Sequence, residues 1–181
     1  MIGAITAGLF SSGAGAAAAT SYESIATTTV GAGGTTTVTF SSIPSTYTQL
    51  QIRGIMRMTN NADGPTMRFN GDTTTSNYRL HYLQGNGTAA SAGTIANNFY
   101  DPITMPNGAN IFGGFVIDIL DYTNTNKYKT IRTIEGFDAN GSGYVTFTSG
   151  LWQSTSAISS IVMTGTTIQQ YSSIALYGIK G

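Results

Sequence analysis

The chain has 181 residues, with eight Lys and Arg, eight Asp and Glu, one His and no Cys. This length can bury a core as one domain, and a hydrophobic fraction of 40% excludes a disordered chain. The lack of Cys excludes disulfides, thiolate chemistry and Cys-ligated metal. The net charge of zero argues against nucleic-acid binding, because no basic excess can displace counterions from phosphates.

Charged residues make up only 9% of the chain, against roughly 25% in an average globular protein. The surface must therefore be built largely from Thr, Ser, Asn, Gln and Gly. A soluble monomer usually keeps more charge on its surface. The composition favours a protein that is packed against neighbours.

The first twenty residues differ from the rest, since apolar side chains are followed by a run of Ala and Gly. No Lys or Arg precedes Glu23, so the positive region of a signal peptide is missing. The run is also too short and too broken by Gly to span a membrane. We interpret residues 1–20 as an arm that docks on a partner; a signal peptide and a frayed terminus are the alternatives. The docking side chains would be Ile2, Ile5, Leu9 and Phe10.

Residues 21–181 read as a single domain of short strands. In the first half, a hairpin is predicted around Gly31–Gly34, and a bulge is predicted at Gly54. The segment from Gly85 to Gly93 is small and polar, which indicates an exposed loop. The predicted strands of this half are 22–30, 35–40, 47–58, a short one around Met67 and Phe69, and 77–83.

In the second half, the stretch 97–110 contains two Pro and indicates a long irregular segment. The most apolar strand is predicted at 112–122. A strand at 128–137 would then be anchored by Ile131 and Ile134. The remaining predicted strands are 144–151, 158–164 and 174–179.

These nine to ten strands, without sustained helical periodicity, predict an all-β fold. Their number and alternation favour an antiparallel β-sandwich that is jelly-roll-like, preceded by the extended apolar arm.

Few residues in the sequence are suited to catalysis. The sequence has no nucleophile elbow that could supply a Ser to pair with His81. We therefore interpret His81 as a residue on a sheet face. Asp118 would need a partner within its apolar run, which Arg132 or Lys129 could supply across a hairpin. Asp121 and Asp138 are typical turn residues. We therefore expect no enzyme. A glycosidase that uses paired carboxylates, Asp118 with Asp121 or Glu135 with Asp138, is the alternative.

The segment 138–143 has part of the pattern of a calcium loop, but it lacks the closing Glu and has one carboxylate. A hairpin turn is the preferred interpretation, and we expect neither metal nor cofactor. Aromatic side chains could stack on sugar rings, although most of them are expected in the core. Trp152 is either a core residue or an interface anchor. The candidates for glycan or interface contact are Tyr82, Phe99, Tyr100 and Trp152.

Several stretches together resemble a family of small virion proteins of tailed bacteriophages. They are the opening at 1–10, then 21–26, 40–47 with 50–53, 68–72, 77–87, 118–132, 150–155 and 175–180. The resemblance covers nearly the whole chain and implies a β-sandwich of the capsid decoration (cement), tail or fibre type, without catalytic residues.

The resemblance itself leaves the position in the particle open. Together with the low charge and the apolar arm, it leads us to expect a non-enzymatic virion protein on the outer surface of the capsid. As a decoration protein it would bind the major capsid protein and itself, as a trimer, and would contact neither nucleic acid nor membrane. A receptor-binding module of a tail or fibre, which recognises host surface glycan, is the alternative.

Overall fold

The computed structural model describes residues 21–60, 64–96 and 104–181, and this part of the chain is built from strands with one short 3-10 turn at Thr75–Asn77. None of its helices is long and apolar enough to cross a membrane. The strands are β1 (Tyr22–Thr29), β2 (Thr35–Phe40), β3 (Gln49–Met56), β4 (Thr66–Phe69), β5 (Tyr78–Gly85), β6 (Ala90–Ala96), β7 (Gly113–Leu120), β8 (Lys129–Asp138), β9 (Gly143–Trp152), β10 (Ile161–Ile168) and β11 (Ser173–Ile179).

The strands form two antiparallel sheets, which confirms the predicted β-sandwich. The large sheet has eight strands in the order β1-β11-β3-β7-β8-β9-β5-β6, and the small one has the order β2-β10-β4. The strands are thus divided eight to three rather than evenly.

The core lies between the sheets. It is formed by every second residue along each strand, since alternate side chains point inward. In β7, Phe115, Ile117 and Ile119 are buried, while the residues between them are more exposed. The small sheet contributes one buried row from each strand, including Phe40 of β2 and Phe69 of β4. Burial of these apolar side chains is the main stabilising term of the sandwich.

The predicted pairing of the first two strands is wrong. Gly31–Gly34 does form a tight turn, closed by the Gly34 N–H donating to the Gly31 carbonyl at 3.2 Å. However, β1 pairs with β11 in the large sheet and β2 pairs with β10 in the small one. The turn therefore carries the chain from one sheet to the other.

The predicted bulge at Gly54 is also absent, because the pairing of β3 runs unbroken through Gly54 on both sides. The glycine has a packing role instead. A Cβ there would lie 2.6 Å from Cζ of Phe115 and 2.8 Å from the carbonyl oxygen of Ser173. Gly54 is thus required for the close approach of the Phe115 ring.

The predicted loop from Gly85 to Gly93 is mostly strand. β5 runs to Gly85 and β6 begins at Ala90, so the loop is only the four residues 86–89. β6 is missing from the predicted strands because its side chains are mostly small and lack the β-branched and aromatic residues that are typical of strands.

Candidate assembly and ligand-binding surfaces

The outer face of the large sheet exposes apolar side chains in a row across four strands. The pairing of β7, β8, β9 and β5 aligns Val116, Ile134, Phe147 and Leu83 in that order. Ile134, Phe147 and Leu83 are 56%, 51% and 57% exposed, and Val145 beside them is 64% exposed. These five residues, Leu83, Val116, Ile134, Val145 and Phe147, are named the outer apolar patch.

The patch arises because β8 places three polar residues on its inner face and Ile134 on its outer face. Lys129, Thr133 and Glu135 are buried, whereas Ile134 points outward. The prediction that Ile131 and Ile134 both anchor the core is therefore correct for Ile131 and wrong for Ile134. Residues three apart on a strand face opposite sides, so the two could not share the core.

A polar row borders the outer apolar patch. Arg132 of β8 lies 3.8 Å from Asp118 of β7, which confirms the predicted cross-hairpin partner. Gln51 of β3 donates to the same carboxylate at 2.6 Å. A shallow cavity of about 160 Å³ lies between this pair and the patch. Asp118 is thus held as a structural ion pair.

Lys129 is the inner-face residue with the most unusual surroundings. Its side chain is fully buried, and its Nζ donates to the carbonyl oxygens of Asn124 at 2.6 Å and of Lys127 and Thr155 at 3.1 Å. Burial lowers the pKa of Lys129, an effect that nearby Asp121 opposes. The ammonium group ties the β7–β8 turn to the segment after β9. Nothing in the sequence around Lys129 indicated this arrangement.

Trp152 is a core residue, so its interpretation as an interface anchor or sugar platform is wrong for this structure. The side chain is 2% exposed and its ring lies 5.4 Å from that of Phe69. The indole N–H donates to Asp72 at 2.8 Å, and Asn77 donates to the same carboxylate oxygen at 2.8 Å. A ligand cannot stack on a ring that is enclosed in this way.

The Asp72 carboxylate also accepts the N–H of Thr74 at 2.9 Å. Burial alone raises the pKa of Asp72, but the hydrogen bonds from Asn77, Trp152 and Thr74 outweigh it and hold the pKa below its usual value. Together these bonds join the turn after β4 to the end of β9.

Of the other predicted aromatic candidates, Tyr82 is the one that lies within the described residues. Tyr82 is half-buried and packs against the core, with its ring beneath Gly93 of β6. Phe99 and Tyr100 lie outside the described residues, as do Ile2, Ile5, Leu9 and Phe10 of the predicted arm.

A pocket opens at one end of the sandwich, where the β5–β6 and β8–β9 loops meet the segment that precedes β7. It has a volume of about 310 Å³ and adjoins a wider cleft of about 540 Å³. The rings of Phe137 and Tyr144 lie 5.7 Å apart in a tilted arrangement on one wall. We name this cavity the end pocket; it is lined by Asn86, Pro106, Asn107, Gly108, Ile111, Phe137, Ala139, Ser142, Gly143 and Tyr144.

The β8–β9 loop beside the end pocket is a hairpin turn, as predicted for 138–143. Asp138 pairs with Gly143 in the ladder, and its carboxylate accepts the N–H of Asn140 at 2.7 Å. Asp121 is likewise a turn residue, with a φ of 49° and an ion pair to Lys127 at 2.5 Å. No group of three or more His, Cys, Asp or Glu suited to a metal ion occurs in the described segments.

The remaining catalytic candidates do not come together. His81 is exposed on the outer face of the large sheet, as predicted, opposite Ser149. Glu135 is buried and accepts the N–H of Thr104 at 2.6 Å, whereas Asp138 is exposed at the end of β8. The two carboxylates therefore do not face a common site.

No family model, curated protein or solved structure matches this chain. The resemblance to tailed-phage virion proteins stays a prediction.

Proposed function

We propose that this protein is a non-enzymatic structural component of a tailed-phage virion. In this role it binds, as a decoration protein, to the assembled shell of the major capsid protein and to copies of itself in a trimer. The observation that carries the proposal is the outer apolar patch on the large sheet.

The patch supports an assembly role because soluble monomers rarely expose large contiguous apolar areas. Four of its side chains, Leu83, Ile134, Val145 and Phe147, are more than half exposed, although none of their strands is at an edge of the sheet. Removing such side chains from water contributes about 25 cal/mol per Å². An apolar surface of this kind is suited to a permanent neighbour.

Stabilisation of the shell follows from mass action. A protein that binds only the assembled shell shifts the equilibrium toward assembly by its binding free energy. The low charge of the chain suits dense packing, since neighbouring copies of a neutral protein do not repel one another. The residues predicted to add a second contact, those of the arm at 1–20, lie outside the described part.

The test is binding of purified protein to particles that lack it, with cryo-electron microscopy to locate the bound density. Ile134→Thr and Phe147→Thr together keep β-forming residues while removing apolar surface. We expect this double variant to lose shell binding at least tenfold. Tyr128→Thr removes an exposed ring immediately before β8, away from the patch, and is the matched control.

Density on the tail alone, or undiminished shell binding by the double variant, would contradict the proposal. Circular dichroism and thermal unfolding of each variant separate a lost surface from a lost fold. Removal of residues 1–20 tests the arm separately, with reduced shell binding expected.

The second candidate function is receptor binding on a tail or fibre. The observation that favours it is the end pocket, where loops converge at one end of a rigid sandwich, a common position for binding sites. Labelling of intact particles with antibody against the chain distinguishes tail from capsid.

A further inference from the structure

We propose that the end pocket binds a neutral saccharide. The inference does not depend on where the protein sits in a particle, and it rests on the shape, the rings and the polar groups of the pocket. The predicted sugar-contact residue Trp152 takes no part, because it is buried elsewhere in the core.

The pocket has the size and the aromatic wall that a sugar ring requires. Its volume of about 310 Å³ lies at the lower end of the range for small-molecule sites, roughly 300–1,000 Å³. Phe137 and Tyr144 are both half-buried, so part of each ring is accessible. Pyranose rings present an apolar face of C–H groups, which packs against aromatic side chains of this kind.

One polar group of the pocket is held in a fixed orientation. The side-chain carbonyl of Asn86 accepts the N–H of Thr88 at 3.0 Å, the Thr88 hydroxyl at 3.0 Å and the N–H of Ala89 at 2.8 Å. These bonds fix the plane of the amide, so its NH₂ group is a preorganised donor. Preorganised donors bind hydroxyl groups at a lower entropic cost.

Further polar groups in the pocket are available to a ligand. Within the described segments, the side chains of Asn107, Ser142 and Tyr144 make no hydrogen bond to the protein. An amide and two hydroxyl groups can each donate and accept, which matches the hydroxyl groups of a sugar.

The charge of the pocket selects against acidic or basic ligands. None of the ten described residues that line the pocket is Asp, Glu, Lys or Arg, and Asp138 lines only the adjoining cleft. A sialylated or uronic-acid glycan would bury a carboxylate without a cationic partner, which is costly. The chemistry therefore favours an uncharged saccharide.

The experiment uses the full chain and a panel of neutral oligosaccharides containing glucose, galactose, mannose or N-acetylglucosamine, with sialylated and uronic-acid glycans for comparison. Saturation-transfer NMR identifies binders, and titration calorimetry measures their affinity. We expect a neutral glycan to bind and Tyr144→Ala to weaken it at least tenfold. Tyr128→Ala, which replaces an exposed Tyr immediately before β8 at the end away from the pocket, should leave the affinity unchanged.

Backbone chemical-shift mapping on the unmodified protein keeps the test independent of any variant that fails to fold. Shifts should cluster at Asn86, Asn107 and residues 137–144. The proposal is overturned if no neutral glycan binds at millimolar concentration, if only charged glycans bind, or if the shifts map elsewhere. These outcomes leave the shell-binding experiment untouched, so failure of one proposal is distinguishable from failure of the other.

Discussion

At the scale of single residues, Asp72 shows how one carboxylate can join distant segments. Asn77 and Trp152 both donate to it, and the second of these lies 80 residues further along the chain. The sequence around Trp152 left its role open, since the partner that fixes it is far away in the chain. Long-range hydrogen bonds of this kind cannot be predicted from local pattern.

The pKa of Asp72 leads to a prediction about acid stability. Because its pKa is lowered in the folded protein, its contribution is complete above the unfolded value of about 3.9 and is lost as pH falls through the folded value. We expect Asp72→Asn to reduce the free energy of unfolding at pH 7 by about 1–3 kcal/mol. The difference between variant and wild type should shrink below about pH 4.

Urea unfolding between pH 2 and 7 measures this difference, with Asp138→Asn as the control. Asp138 serves an exposed turn, so its replacement should cost less than about 0.5 kcal/mol. A difference for Asp72→Asn that is the same at every pH would contradict the assignment.

Lys129 gives a second prediction, because its ammonium group is bound only by backbone carbonyl oxygens among the described residues. Lys129→Met keeps the alkyl chain but removes the donors, and should lower the free energy of unfolding by about 1.5–3 kcal/mol. Lys127→Met is the matched control, since its ion pair with Asp121 is about half exposed and is worth roughly 0–1 kcal/mol. Thermal unfolding measures the stability lost in each variant. Equal losses would show that the hydrogen bonds from the Lys129 ammonium group to the carbonyl oxygens stabilise the fold no more than the exposed ion pair does.

At the scale of elements, alternation predicted most strands correctly but could not give their orientation. In β9, Thr146 and Thr148 alternate with Val145 and Phe147, and the pattern alone favours the apolar pair as core. The structure places the threonines inside and the apolar residues outside. The choice is made by the neighbouring strand β8 and by segments distant in sequence, such as the N–H of Thr104, which binds one carboxylate oxygen of Glu135. The patch on which the proposed function depends was therefore not predictable from either strand.

The missed strand β6 leads to a prediction of its own. Its pairing with β5 requires a small residue at Gly93, because a Cβ there would lie 2.6 Å from the Tyr82 hydroxyl oxygen. We expect Gly93→Val to detach β6 from the sheet edge, despite the high strand propensity of Val. Ala92→Val, which places the same side chain on the exposed face opposite Leu83, is the control.

Amide hydrogen exchange reports on this edge directly. In Gly93→Val the amides of β6 should exchange markedly faster while those of β7 and β8 stay protected, as expected for local opening. Unchanged protection of β6 would show that Tyr82 can move aside without cost.

At the scale of the whole molecule, the distribution of charge predicts how assembly responds to salt. The chain has no net charge, and the ion pairs of the described segments are partly exposed. Contacts between charged surfaces weaken steeply when salt screens them, whereas burial of apolar surface does not. If the outer apolar patch forms the contact with the shell, binding should change little between about 0.05 and 0.5 M NaCl, and sulfate should strengthen it. Co-sedimentation with particles that lack the protein measures this, and release at high salt would assign the contact to charged residues such as Arg53 or Arg132 instead.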